Sequence, residues 1–337
     1  MPAPRLRRRF FVGGLGALIG SAALPGRAAE RRFRIAFANL NEDPAARLEG
    51  LGFTGLDVRR SFQLAARTLP VDMLYYDNAG DDAKALANID AAITDKADLV
   101  IEYHNNAAAN AEIARKLKAA GIPVLAINHA IPGAPFYGAD NFLAGRIAGK
   151  ALGDYARQNW ADETLVAAIV GDLDEAGPPA ERARGIAEAL RQELPGVSLT
   201  RLDSGGNALR IEGVLTKFLL AQSKRKVLVG ALDDASALAA KTATELARRL
   251  GDCIIVSQGV DRTIHGGAGD RKELDPSNRG SIVLGSVAYY MDRYGYDVLP
   301  LALKMLRGES LPPRTVTQHT LISAKNIFVV YPPYDMN

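Results

Sequence analysis

Beyond residue 30, short apolar runs rich in branched side chains alternate with longer segments whose apolar positions recur every three to four residues. Phe33–Phe37, Val71–Tyr76, Leu99–Tyr103 and Pro123–Ile127 are the first four short runs and predict strands. Between the second and third, Leu86, Ile89 and Ile93 share one helical face. Ala107–Ala120 is a run of strong helix formers that stops at Gly121, and Asn141–Trp160 is again helical in pattern. The series then restarts. Leu165–Val170, Val197–Leu202, Val227–Leu232 and Ile254–Val260 predict strands, separated by helices over Pro178–Leu194, Ala208–Gln222 and Ala235–Arg249. Strands alternating with helices predict parallel sheets covered by helices on both faces. Two such series, one before about residue 138 and one after it, predict an α/β chain of two doubly wound parallel-sheet lobes.

The opening 28 residues break this pattern. Arg5, Arg7, Arg8 and Arg9 precede an uncharged stretch from Phe10 to Gly26 that carries Gly13, Gly14, Gly16 and Gly20 and leads into Gly26-Arg27-Ala28. Basic region, apolar region and small-residue cleavage site are the three parts of a secretion signal. Arg7-Arg8-Arg9-Phe10-Phe11 reads as the twin-arginine form, which predicts the twin-arginine export machinery as a partner and the periplasm as destination. At about 17 residues the apolar stretch is short for a span of ~20, so a cleaved signal over 1–28 is expected rather than an anchor. Gly14-Leu15-Gly16 mimics the start of a dinucleotide fingerprint, but no strand precedes it.

Removing that leader changes the charge. The whole chain has 41 Lys and Arg against 38 Asp and Glu, net +3. Five arginines and no acid lie in the first 28 residues, so the remainder carries 36 basic against 38 acidic residues, net −2. No clustered basic surface favours nucleic acid. The single cysteine, Cys253, excludes an internal disulfide, and its apolar run predicts a buried thiol.

In open parallel sheets, ligands lie beyond the carboxyl ends of the strands. There the first series places Asn39, Asn41 and Glu42, then Glu102-Tyr103-His104, then Asn128-His129. The second places Asp172 with Asp174, then Asp203-Ser204, Asp233-Asp234 and Asp261-Arg262. Nearly every strand ends in a carboxylate or carboxamide, and these forks suit hydroxyls that both donate and accept. The competing explanation for each is helix capping. His104 and His129 end strands that face the expected cleft.

Residues 121–128, 137–145 and 182–185, then 233–240 and 258–261, and last Gly285 to Ala288, Gly295 and residues 306–309 form a series of short motifs. In these motifs and their order the chain resembles the periplasmic sugar-binding proteins of ABC importers, the ribose- and galactose-binding group. The resemblance implies a type 1 periplasmic binding protein fold, with lobes of 31–138 plus about 290–320 and of 139–289 plus about 321–337. It implies a hinge of three crossings, near Tyr137–Asp140, Ala288–Asp292 and Leu321–Asn326. It also implies a sugar ligand, an ABC permease in the inner membrane as partner, and a monomer. Carried over by motif, Asn128 takes the place of an aspartate that binds sugar hydroxyls, and Arg182 that of an arginine on the ring oxygen or a hydroxyl. Asp261 matches a ligand-binding aspartate, Asp233 stands where the family has asparagine, and Tyr289 where it has glutamine. Asn41, Tyr103 and His104 complete the candidate set. The aromatics expected just after the first strand are missing, which leaves Tyr103, Phe62 or Tyr289 to stack on a sugar face. Segment 42–57 has no counterpart.

Catalysis lacks its parts. The four histidines are far apart, no pair has zinc spacing, and there is neither a Walker loop nor a nucleophile elbow, so no enzyme, metal or cofactor is expected. Similar lobes occur in repressors behind a helix-turn-helix, whose place a secretion signal takes here. The alternative to an importer receptor is a periplasmic sensor that presents its closed form to a kinase or chemoreceptor.

Overall fold

The computed structural model describes residues 31–173, 176–265, 272–278 and 280–332. The expected signal and Asp174 lie outside them. The chain opens with β1 (Phe33–Asn39), α1 (Gly55–Ala66), β2 (Val71–Asp77), α2 (Asp82–Thr94), β3 (Leu99–Glu102), α3 (Ala107–Ala120), β4 (Val124–Ile127) and β5 (Phe136–Gly138). It continues through α4 (Asn141–Asn159), β6 (Leu165–Gly171), α5 (Pro178–Glu193), β7 (Ser198–Asp203), α6 (Leu209–Ala221) and β8 (Lys226–Ala231). Next come α7 (Asp234–Leu246), β9 (Cys253–Gly259), the single-turn α8 (Arg262–His265) and β10 (Val283–Ala288). The last elements are α9 (Tyr294–Leu306), β11 (Arg314–Val316), β12 (Leu321–Ile322) and α10 (Ile327–Val330).

Two six-stranded sheets result, ordered β2-β1-β3-β4-β5-β11 and β7-β6-β8-β9-β10-β12. All pairings are parallel except β12 against β10. Each sheet reverses its winding beside its first strand, next to β1 in one lobe and β6 in the other, the switch point where open α/β sheets place ligands. Residues 36–38, 166–170 and 253–259 are buried throughout because helices cover both faces, which is why these strands read as unbroken apolar runs.

The chain passes between sheets three times. It leaves the first after β5 through Ala139 and Asp140, returns after β10 through Tyr289–Arg293, and crosses again between β11 and β12. The third passage lies at residues 317–320, earlier than the Leu321–Asn326 expected, because Leu321 and Ile322 already pair with β10.

Side-chain caps fix the helix starts. Thr54 and Asp57 form a reciprocal capping box on α1, and Asp81, Asn106, Asp140 and Asp233 cap α2, α3, α4 and α7. Gly121, at φ 69°, ends α3 in the left-handed conformation that a side chain resists. The second lobe also uses glycine to bring helices together. A Cβ on Gly145 of α4 would sit 2.2 Å from the Arg182 carbonyl oxygen, and one on Gly185 of α5 would sit 2.1 Å from that of Phe142. The backbones of α4 and α5 therefore touch, and α5 is held where its second turn carries Arg182.

Candidate functional site

The segment between β1 and α1 places the site. Leu48, Leu51 and Phe53 are buried in the core and anchor it. Between them the Leu51 N–H donates to the Leu48 carbonyl at 2.9 Å, and Glu49 and Gly50 both have positive φ, 56° and 65°. Two left-handed central residues define a type I′ turn. A non-glycine residue in that conformation is under strain, and such strain gathers at functional positions. This turn puts Glu49 at its tip and aims the carboxylate between the lobes.

From the first lobe, Tyr103 follows β3, and Asn128 and His129 follow β4. The Tyr103 hydroxyl donates to Glu49 Oε1 at 2.6 Å, and His129 Nε2 lies 3.0 Å from the same oxygen. Asn128 Nδ2 donates to the Tyr103 oxygen at 3.1 Å, while its Oδ1 accepts from the Tyr294 hydroxyl at 3.1 Å and from the Ala139 N–H at 3.3 Å. Burial alone would push the Glu49 carboxyl upward. His129, Tyr103 and Arg182 outweigh it and hold the group below the usual carboxylate range, so it is charged at neutral pH.

From the second lobe, Arg182 reaches the same tip. Its Nη2 donates to the Glu49 and Gly50 carbonyls at 3.0 and 3.3 Å. The side chain is fully buried, its guanidinium carbon lies 5.8 Å from the Tyr289 ring centre, and Nε and Nη1 have no hydrogen-bond partner. Tyr289 is fixed in turn by its hydroxyl on Gln258, 3.0 Å away. Asp261, just after β9, stands against Gly52, where a Cβ would come within 1.9 Å of Asp261 Oδ2. Only glycine lets the segment pass there.

Asp234 positions Asp261. Its buried carboxylate accepts the Asp261 N–H at 2.7 Å and the hydroxyls of Ser257 and Ser286. Burial, then repulsion from Asp261, pushes Asp234 well up. Burial also raises Asp261, against the pull of Thr263 and the Gly52 amide.

Tyr103, Asn128, Arg182, Asp261 and Tyr289 are thus gathered in one place, with Tyr289 behind Arg182. The other three candidates make bonds of their own outside this set, although Asp233 is near enough to Asp261 to repel it. His104 is buried with Nε2 on Asp82 Oδ1 at 2.8 Å. Asn41 closes a turn on the Asp43 N–H at 2.9 Å. Asp233 caps α7 through the Ser236 N–H at 2.8 Å. Phe62 is stacked on Phe37 in the core, with centroids 4.2 Å apart. Glu49 was not legible beforehand. Its only trace is the spacing of Gly50 and Gly52 among Leu48, Leu51 and Phe53, an apolar underside interrupted by turn residues.

Chemically, the cluster offers hydroxyl, imidazole and guanidinium donors on one side and a buried carboxylate on the other. Among the described residues no group of three or more His, Cys, Asp or Glu is placed to hold a metal ion. No helix among them is long and apolar enough to cross a membrane.

A sequence profile described as a periplasmic binding protein domain matches residues 54–310. No curated protein matches the sequence. Among solved structures, the chain is similar to a sugar-binding protein of a sugar ABC transporter from Bacillus halodurans. The identity is 19%, over 90% of this chain and 100% of that one, at a TM-score of 0.66. It is also similar to an ABC transporter periplasmic solute binding protein from Actinobacillus succinogenes with bound D-allose, at 16% identity over 87% and 98% of the two chains and a TM-score of 0.66. A third likeness is to the fructose-binding periplasmic domain of the hybrid two-component system BT1754, at 23% identity over 88% and 93%, with a TM-score of 0.60. At these identities the likeness is one of fold.

Proposed function

The chain belongs to the periplasmic binding protein family, and from that premise we propose that it is a monomeric periplasmic receptor for a small polyhydroxylated ligand, a sugar or sugar derivative, which it delivers to an ABC permease. One observation carries the reading. Arg182 and Asp261 of one lobe and Tyr103, Asn128 and His129 of the other converge on a single volume at the carboxyl ends of both sheets. A molecule that bonds both sets is bound best when the lobes are together, so binding favours the closed form. Of the similar folds, one has D-allose bound and another is named as fructose-binding. The twin-arginine leader read from residues 7–11 supports export.

A sensor role is the second reading, favoured by the similarity to a domain of a two-component system. The genes beside its own separate the two: permease and ATPase for an importer, kinase for a sensor. Calorimetry of the purified exported chain against a panel of sugars and sugar derivatives tests the receptor itself. Saturable one-to-one binding is expected, and a chain that binds none of the panel ends this reading.

A further inference from the structure

Given a receptor that closes on a hydroxylated ligand, as proposed above, the turn at Leu48–Gly52 acquires a role. We infer that this turn is a tethered stand-in for the ligand, and that the site takes a sugar acid whose carboxylate replaces that of Glu49.

The turn touches both lobes as a ligand does. Glu49 is bonded by Tyr103 and His129 of the first and, through its own carbonyl, by Arg182 of the second. Its side chain is only 7% exposed. The Gly50 carbonyl lies on Arg182, and the Gly52 N–H lies beside Asp261. Tyr103, His129, Arg182 and Asp261 thus each meet a complementary atom of the turn, Asn128 reaches it only through the Tyr103 hydroxyl, and the turn is a template of what the site accepts. At the Tyr103–His129 end that atom belongs to a charged carboxylate. Over Arg182 the atoms are neutral acceptor oxygens, and Nε and Nη1 are left for more. Beside Asp261 the atom is a donor, the part a ligand hydroxyl would take.

A molecule that displaces the turn must satisfy the same groups, since a buried guanidinium stripped of acceptors is costly. A neutral sugar matches the Asp261 and Arg182 ends but offers only hydroxyls where the turn offers a carboxylate. A uronate or aldonate matches all three. An amino sugar would bring a cation to Arg182 and His129 and is disfavoured. Leu48, Leu51 and Phe53 hold the base of the turn in the core, so it is the tip at Glu49 and Gly50 that must yield.

The test uses the exported chain and Glu49→Gln, which removes the charge and keeps the shape, with Glu49→Gly as a second variant that relieves the positive φ. Calorimetry compares D-galacturonate, D-glucuronate and D-gluconate with D-galactose, D-glucose and D-galactosamine. The acids should bind the wild type at least tenfold more tightly than the neutral sugars. Both variants should bind the acids roughly tenfold more tightly still, since a weakened turn competes less and a hydrogen bond to a charged group is worth about a factor of ten or more. Small-angle scattering without added sugar should show both variants less compact than the wild type. Neutral or amino sugars binding as well as the acids, or Glu49→Gln binding no more tightly than wild type, overturns the stand-in and leaves the receptor reading in place. Failure of every compound on all three proteins overturns both.

Discussion

The two oxygens of Asp261 have different surroundings. Oδ1 accepts the Thr263 N–H at 2.8 Å and closes a local turn, while Oδ2 is buried against Gly52. Of the rival explanations from sequence, the turn is made by Oδ1, and a ligand role would fall to Oδ2. Asp261→Asn should keep the turn and lose the charge that faces a ligand hydroxyl. Affinity is expected to fall roughly 10-fold or more with the melting temperature held or raised, because a charged group bonded to ligand contributes about 1.5–3 kcal/mol. Unchanged affinity by calorimetry would assign Asp261 to the turn alone. Glu102 makes a pH prediction. It ends β3, fully buried, with Asn78 Nδ2 on Oε1 at 2.8 Å and nothing on Oε2. Burial, only partly offset by Asn78, raises its pKa to about 8. A carboxyl raised in the folded state binds its proton more tightly there than when unfolded. Its cost is therefore absent below the unfolded value of 4.5, grows through the interval up to about 8, and is constant above. Glu102→Gln should leave the melt nearly unchanged at pH 4.5 and stabilise by a few kcal/mol at pH 8, at about 1.4 kcal/mol per pKa unit. A gain equal at both pH values would show that Glu102 is ionised in the fold.

At the scale of elements, most strands and helices were legible because burial imposes its period on the sequence. Ala107–Ala120 was delimited by its helix formers and Gly121, and the second-lobe strands by their branched apolar runs. β5, β11 and β12 are three residues or fewer, too short to show a period, and β10 follows segment 266–282, where no helical pattern announces a strand. α1 was hidden behind segment 42–57, whose turn at Glu49 and Gly50 shows neither a helical nor a strand period. The site was half legible for a related reason. Positions fixed by the sheet, Asn128 and Asp261, follow from strand ends, whereas Glu49 depends on a tertiary course that no local pattern encodes. The glycines of α4 and α5 carry an element-scale prediction. Gly145→Ala should cost about 1–3 kcal/mol, the usual penalty of overpacking. It should also weaken ligand binding, since the new methyl pushes on the Arg182 carbonyl. Gly213 of α6, exposed with nothing near its Cβ position, is the control. Gly213→Ala should stabilise by roughly 0.5–1 kcal/mol and leave affinity alone. Chemical denaturation checks both, and equal effects would show that α4 and α5 yield freely.

Across the whole molecule, the three passages between lobes are tied by one imidazole. His319, on the third, accepts the Asp140 N–H of the first through Nε2 at 3.0 Å, so Nδ1 carries the proton and donates to the Ala288 carbonyl at 2.9 Å. Protonation would turn the accepting nitrogen into a donor facing a donor. Burial lowers the His319 pKa from its ordinary 6.5, so its contribution is present above 6.5 and lost as pH falls through the lower folded value. Glu102 acts with the opposite sign over part of that range, so the comparison belongs in a Glu102→Gln background. There, replacing His319 with Ala should lower the melting temperature at pH 7.5 and flatten its decline toward pH 5. An unflattened decline would place the acid sensitivity elsewhere.

The turn at Glu49 also sets the concentration at which the molecule responds. A tethered competitor is never diluted, so the apparent dissociation constant is the intrinsic one divided by the fraction of molecules with the turn withdrawn. If the turn is held by about 2 kcal/mol, near the value of one hydrogen bond to a charged group, that fraction is roughly 3% and the apparent constant rises about thirtyfold. Such a protein is insensitive to traces and answers to abundance. Once a bound molecule departs, the returning turn competes with its rebinding.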